Sequence, residues 1–275
     1  MSRNLFWRMF SLSITYPIAF PTLIAYAVSK DLRYLDFLYS IRSATHGVPR
    51  GNGLRVSKQD GIELLFPSRE DPNFEDVFLR NVYFPYKPQK TDVVFDIGAH
   101  MGFFTAKIAK HVDKVVAFEP DPKNFAFLLE NLRRNKLINV VALNFALGKE
   151  DASLFLERHY GQGRTKVTDQ DTGYRINVRS VNSIAQSLGL KPNVIKIDTE
   201  GYELPILQGA KSIIDNNKPK FLIAAYHYPG EVSDVAKYLS ANHYLCYRYD
   251  VPHTLQKTKE SYIYAEPLKN ELFKS

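Results

Sequence analysis

From residue 92 onward, short apolar runs alternate with stretches whose apolar residues recur at helical spacing. The runs at 92–97, 114–118, 139–143, 193–197, 220–226, 244–249 and 261–265 read as strands. The segments near 103–111, 122–135, 181–188, 204–215 and 231–240 read as helices. Strands that are apolar throughout are buried on both faces, and strand–helix alternation places them in a mainly parallel sheet. An α/β fold is therefore expected. Residues 153–156 and 176–179 add a hairpin or lid across the polar stretch 158–174.

The chain before residue 92 has a different pattern. Gly47-Val-Pro-Arg-Gly-Asn-Gly53 marks a boundary, dividing an N-terminal helical and hydrophobic appendage, 1–50, from a main domain, 51–275. Past it, two apolar stretches flank Asp60-Gly61, the signature of a tight hairpin, and Asp71 or Asn73 is placed to cap a helix running through Phe78. Within the appendage, the uncharged stretch from Met9 to Val28 has the length of a membrane span. Arg3, Trp7 and Arg8 suit a membrane interface, whereas Pro17 and Pro21 interrupt a helix. Three readings stay open: packing on the protein or a partner, membrane association, or a cleaved signal. Leu32, Leu35, Leu38 and Ile41 then give residues 30–42 an amphipathic helical face.

With 45% hydrophobic and 24% charged residues, the chain has the composition of a globular protein with a sizeable core. A net charge of +7 favours anionic partners. The lysines and arginines are scattered without an interleaved aromatic stripe, so nucleic acid is not expected. The single cysteine, Cys246, excludes an internal disulfide and reads as a small apolar residue in a reducing compartment. A cytoplasmic location is expected, at a membrane if residues 9–28 bind one.

Candidate chemistry begins at Val93-Val-Phe-Asp-Ile-Gly-Ala-His-Met-Gly-Phe-Phe-Thr105. An apolar strand runs into an acid and two glycines, then into a helix whose first N–H groups face a ligand. Asp96, Ile97, Gly98, Ala99, Gly102 and Thr105 are the cofactor candidates here. A dinucleotide fingerprint would need glycines where His100 and Phe103 stand, so NAD is excluded. S-adenosylmethionine has no pyrophosphate and accepts the wider loop. Glu119, ending the next strand, is placed to accept both ribose hydroxyl hydrogens. Asn144 and the backbone of Ala146, after the third strand, are candidates to meet adenine.

Ligands of open α/β sheets lie beyond the carboxyl ends of the strands. Strand four ends as Lys196-Ile-Asp-Thr-Glu-Gly-Tyr-Glu203, and strand five as Tyr226-His227. Asp198, Glu200 and Lys196 are thus candidate catalytic groups, and His227 is a candidate base near neutral pH. His100 and His111 read as structural. The histidine spacing gives no metal site.

Together these residues resemble the FkbM family of methyltransferases. The likeness rests on Phe95-Asp-Ile-Gly-Ala-His-Met-Gly102, Ala117-Phe-Glu-Pro-Asp-Pro122, Asn144 to Gly148, and Ile195-Lys-Ile-Asp-Thr-Glu-Gly-Tyr-Glu203 with its trailing Leu-Gln-Gly-Ala. It covers about residues 50 to 265, and the string around Glu200-Gly201 is its most specific part. It implies a class I methyltransferase Rossmann-like sheet of seven strands, mostly parallel with the last antiparallel. It also implies S-adenosylmethionine as cofactor, no required metal, and a hydroxyl acceptor on a sugar, glycan, glycolipid or related small molecule. Many members have Asn in place of His100, and Glu in place of Ala225 before the strand-five histidine. The rival readings are a tethered scaffold that binds cofactor without turnover, and an RNA methyltransferase.

Overall fold

The computed structural model describes residues 54–67, 72–83, 85–159, 164–252 and 259–268. The stretch 9–28, the amphipathic segment 30–42 and the boundary loop 47–53 lie outside the described residues. Among the described residues, no helix is long and apolar enough to cross a membrane.

The expected hairpin comes first. Strands β1 (Leu54–Gln59) and β2 (Ile62–Pro67) pair antiparallel about Asp60 and Gly61, whose φ values of 52° and 69° match a primed two-residue turn. A helical turn at Pro72–Phe74 then continues as a π-helical turn at Glu75–Leu79. Asn73 lies inside this helix rather than capping it, and Asp71 lies outside the described residues. Pro72, whose ring presets a helical φ and whose missing N–H costs nothing there, opens the helix instead.

The main sheet is built from β3 (Val93–Ile97), β4 (Lys114–Phe118) and β5 (Val140–Leu143), with helices α1 (Phe103–Ala109) and α2 (Pro122–Arg134) between them. Next comes an accessory sheet of β6 (Ala146–Gly148), β7 (Ala152–His159), β8 (Arg164–Thr168) and β9 (Arg175–Ser180), followed by α3 (Val181–Leu188). The main sheet resumes with β10 (Val194–Ile197), α4 (Glu203–Gly209), α5 (Lys211–Asn217), β11 (Lys220–Ala224), α6 (Glu231–Ala241), β12 (Tyr244–Pro252) and β13 (Lys259–Pro267). Its strand order is β12-β13-β11-β10-β3-β4-β5, and only β13 runs antiparallel to its neighbours.

Alternate residues of each strand feed two cores, which is why the strands read as continuous apolar runs. Val94, Val115 and Leu222 pack with α1, α2 and β2 on one face, while Phe95, Val116, Ile195 and Phe221 pack with α3 to α6 on the other. Burying one such Phe or Leu contributes roughly 1.5–3 kcal/mol. The hairpin is fastened to α2 by buried Asn131, whose Nδ2 donates to the carbonyls of Leu65 and Met101 at 3.0 and 2.8 Å and whose Oδ1 accepts from Leu65 N–H at 2.6 Å.

Two expectations are corrected. The lid is a four-stranded sheet of order β6-β9-β7-β8, not a hairpin alone. β7 and β9 do pair, with Leu154 opposite Ile176, but β8 forms within the polar stretch, where Val167 supplies a buried apolar contact. The helix expected over 204–215 is two helices that meet at Ala210, whose φ of −98° and ψ of 5° leave the α region. Just before the break the chain packs closely on β6, where a Cβ on Gly209 would stand 2.0 Å from the Gly148 carbonyl oxygen.

Candidate active site

The carboxyl ends of β3, β4 and β10 open on a cleft of about 620 Å³, counting its mouth. Its wall includes Ile97 and Gly98 after β3, Glu119 after β4, Ala146 at β6, and Asp198 to Glu200 after β10. Thr165 and Val167 of β8 and Tyr202 close it from the side of the accessory sheet. The two halves of the sequence pattern, glycine loop and acidic turn, therefore share one cavity.

The loop after β3 folds as it does because its backbone is claimed from three sides. The N–H groups of Gly98 and Ala99 both donate to the Phe118 carbonyl, at 3.0 and 2.9 Å. Gly98 has a φ of 75°, and a Cβ there would stand 1.8 Å from the Asp198 carbonyl oxygen, so only glycine lets the two loops pass this closely. Below them, Lys196 Nζ donates to the Gly98 carbonyl at 2.7 Å and pairs with Asp96 Oδ1 at 3.1 Å. The Thr105 hydroxyl donates to the other oxygen of Asp96. Asp96, Thr105 and Lys196 are thus a buried foundation for the glycine loop and do not line the cleft. Ala99 and Gly102 are likewise buried behind it, with Gly102 capping α1. Lys196, expected as a catalytic group, lies beneath the glycine loop and outside the cleft lining.

Glu119 sits at the cleft with its oxygens accepting from the N–H groups of His100 and Asp121, each at 2.8 Å. Burial outweighs those two donors and pushes its carboxyl up to about 8. Asn144 does not reach the cleft wall. Its Nδ2 donates to the carbonyls of Glu119 and Pro120, at 2.8 and 3.1 Å, and so shapes the loop that carries Glu119.

Asp198 and Glu200 both line the cleft. Glu200 has a left-handed φ of 58°, uncommon for a non-glycine residue, and Gly201 follows at 96°. That turn carries Glu200 on the cleft wall with its side chain 30% exposed. Asp198 Oδ2 accepts the hydroxyl hydrogen of buried Tyr83 at 2.5 Å. Burial alone would raise its carboxyl, but His227, Lys196 and Tyr83 hold it well below the usual carboxylate range.

His227 is placed otherwise than expected. Its side chain is 4% exposed and lies behind the turn, at 3.4 Å from Asp198, 3.5 Å from Glu203 and 3.3 Å from Glu231. Burial alone would lower its pKa. The surrounding carboxylates of Asp198, Glu231 and Glu203 overcome that and push it up to about 11. That shift keeps a proton on the imidazole near neutral pH and argues against His227 as the base.

Two residues at the site were not singled out from the sequence. Tyr83 lies outside every motif, and an isolated tyrosine carries no signal of a partner 115 residues away. His100, read as structural, lines the cleft with a φ of 52°, and neither of its ring nitrogens has a hydrogen-bond partner. Its seat between two loop glycines was the available clue.

The sequence model of the family described as the methyltransferase FkbM domain matches residues 96–249. The hexuronic acid methyltransferase AglP of Haloferax volcanii is 31% identical over 155 residues, 55% of this chain and 63% of that protein. Methyltransferase 1 of Beauveria bassiana is 26% identical over 173 residues, 52% of this chain and 69% of that protein. The chain thus spans less than two thirds of the length of AglP. Among solved structures, a methyltransferase FkbM from Methylobacillus flagellatus superposes with a TM-score of 0.54 at 23% identity, over 67% of this chain and 47% of that one, a likeness of fold.

Proposed function

The chain belongs to the FkbM methyltransferase family, and on that premise we propose that it binds S-adenosylmethionine in the cleft and methylates a hydroxyl group of a sugar or glycan. The observation that carries the reading is the meeting of Gly98, Glu119, Asp198 and Glu200 around one cavity. The lining fits the cofactor chemically. Glu119 brings to the wall a carboxyl group that accepts from a ribose diol once ionised, and the ring nitrogens of His100 are orphaned polar atoms there, suited to a ligand with a polar end. When bound, this cofactor supplies an electrophilic methyl group on a sulfonium.

The protein's own part is alignment and proton handling. The Lys196–Asp96 pair fixes the Gly98 loop, and the Tyr83 bond fixes Asp198. Asp198, held ionised, accepts a hydrogen bond from the acceptor hydroxyl and orients it. Glu200 takes the proton as the acceptor oxygen gains the methyl group. The accessory sheet, through Thr165 and Val167, excludes water from one side.

The sugar acceptor is supported by AglP, whose name records a hexuronic acid substrate, and by the net charge of +7, which favours anionic glycans. Mass spectrometry of glycans and glycolipids from cells with and without the gene tests it. The expected result is a set of species lighter by one methylene in the deletion; identical glycan and glycolipid masses would reject the sugar acceptor.

A further inference from the structure

Behind the acidic turn lie Glu203, Glu231 and His227, to which the reaction described above gives no part. Asp198, Glu200, Glu203 and Glu231 converge on one imidazole, that of His227. The side chains of Glu203 and Glu231 are both 0% exposed and that of His227 is 4% exposed. Glu200 is 30% exposed, and burial beside Glu231 pushes Glu203 up to about 8, so near neutral pH Glu203 and His227 hold protons that a bound cation would displace. Neither ring nitrogen of His227 has a hydrogen-bond partner, and Glu203 Oε2 and Glu231 Oε1 have none either. Asp198, Glu203 and Glu231 stand 3.3–3.5 Å from the ring nitrogens and Glu200 at 3.9 Å, close enough to interact through their charge.

We propose that Asp198, Glu203 and His227 bind a divalent first-row transition-metal ion at the inner wall of the cleft, where it holds the acceptor hydroxyl. One ligand atom from each of the three lies within 4.8 Å of the others. They come from the turn after β10, the start of α4 and the segment that follows β11, so three neighbouring parts of the fold bring them together. A set of one imidazole and two carboxylates suits manganese, iron or zinc, whereas calcium and magnesium favour all-oxygen sites. Partners behind the ligands are already in place. Glu203 Oε1 accepts from Thr199 N–H at 2.7 Å and from its hydroxyl at 3.0 Å, and Tyr83 donates to Asp198 Oδ2. Such outer contacts orient metal ligands and are expected of a working site.

Asp198 also lines the cleft, so an ion on it adjoins the acceptor. The ion's charge favours the deprotonated oxygen. The hydroxyl gives its proton to Glu200 and keeps the electron pair with which it takes the methyl group. This second role rests on the methyl-transfer reading; the binding of the ion does not.

The test uses the full chain freed of metal with a chelator and titrated with Mn2+, free ion being read by electron paramagnetic resonance. One saturable Mn2+ per chain is expected. Glu203→Gln and His227→Asn should each weaken it at least about tenfold, with circular dichroism and S-adenosylmethionine affinity retained. If one variant does not fold, the other decides. Absence of saturable binding in the wild type, or equal binding by the folded variants, overturns the site. Saturable binding with methyl transfer indifferent to chelation overturns the acceptor role alone. Failure to bind S-adenosylmethionine counts against the methyltransferase reading and not against the ion.

Discussion

The hydroxyl of Tyr83 donates to Oδ2 of Asp198, tying the segment that follows the N-terminal hairpin to the acidic turn after β10. Tyr83 precedes the stretch matched by the family model, residues 96–249, and is held by edge contacts with Phe104 and Tyr262. The acidic turn is therefore braced by a residue from outside the stretch that the family model matches.

Tyr83→Phe keeps that packing and removes one bond to a charged acceptor, a loss of about 1.5–3 kcal/mol. Turnover is expected to fall by roughly 10- to 100-fold at ~1.4 kcal/mol per tenfold, with S-adenosylmethionine affinity unchanged. Steady-state kinetics beside calorimetry checks this. A variant with normal turnover would mean that Asp198 needs no such support.

Lys196 carries the second expectation. Replacing it by Met leaves Asp96 buried without its cation, and breaking one side of a buried pair costs about 3–5 kcal/mol. Denaturant unfolding should show that loss, together with weaker cofactor binding as the Gly98 loop loosens. Adding Asp96→Leu should restore part of the stability. If Lys196→Met is fully stable and binds cofactor normally but is inactive, lysine is a catalytic group after all.

Asn131 makes the third. Asn131→Leu strands the N–H and carbonyl of Leu65 and the carbonyl of Met101 in the core, an expected loss of about 2–4 kcal/mol. At roughly 2–4 °C per kcal/mol for a domain of this size, Tm should fall by about 4–16 °C in a calorimetric scan. An unchanged Tm would show that the hairpin does not dock as described.

Glu119 gives a pH dependence whose sign is fixed. Burial raises its carboxyl from 4.5 to about 8, so the folded protein holds a proton that the unfolded chain has lost. Its contribution to stability therefore falls as pH rises through that window. Ribose hydroxyls donate to the carboxylate and not to the acid, so cofactor affinity should rise towards pH 8 and level off above it. The slope is at most about tenfold per pH unit. Titration calorimetry of wild type and Glu119→Gln over that range isolates the effect, because the ligand's own ionisation is common to both. Parallel curves would remove Glu119 from the ribose site.

The sequence revealed the sheet because its central strands are apolar on both faces apart from Asp96 and Lys196, and it revealed the glycine loop and acidic turn because both stand at strand ends. It was poorer wherever a side chain's role depends on what packs behind it. Lys196 and His227 sit among polar residues at strand ends just as catalytic groups do, and only burial against Asp96, or among Glu203 and Glu231, separates foundation from chemistry. Strand β8 went unseen because apart from Val167 it has the composition of a loop. The division of 204–215 falls at Ala210, beside a close approach to Gly148 that no helical periodicity records.

The account's central claim is that the turn after β10 serves the acceptor while the loop after β3 serves the cofactor. Transfer of labelled methyl from S-adenosylmethionine to a uronic-acid glycan, measured for wild type, Asp198→Asn and Glu200→Gln, tests it most directly. Each carboxamide variant is predicted to lose about 10²–10⁴-fold in turnover, with cofactor affinity nearly unchanged. Full transfer by both variants, or loss of activity through loss of cofactor binding, would contradict it.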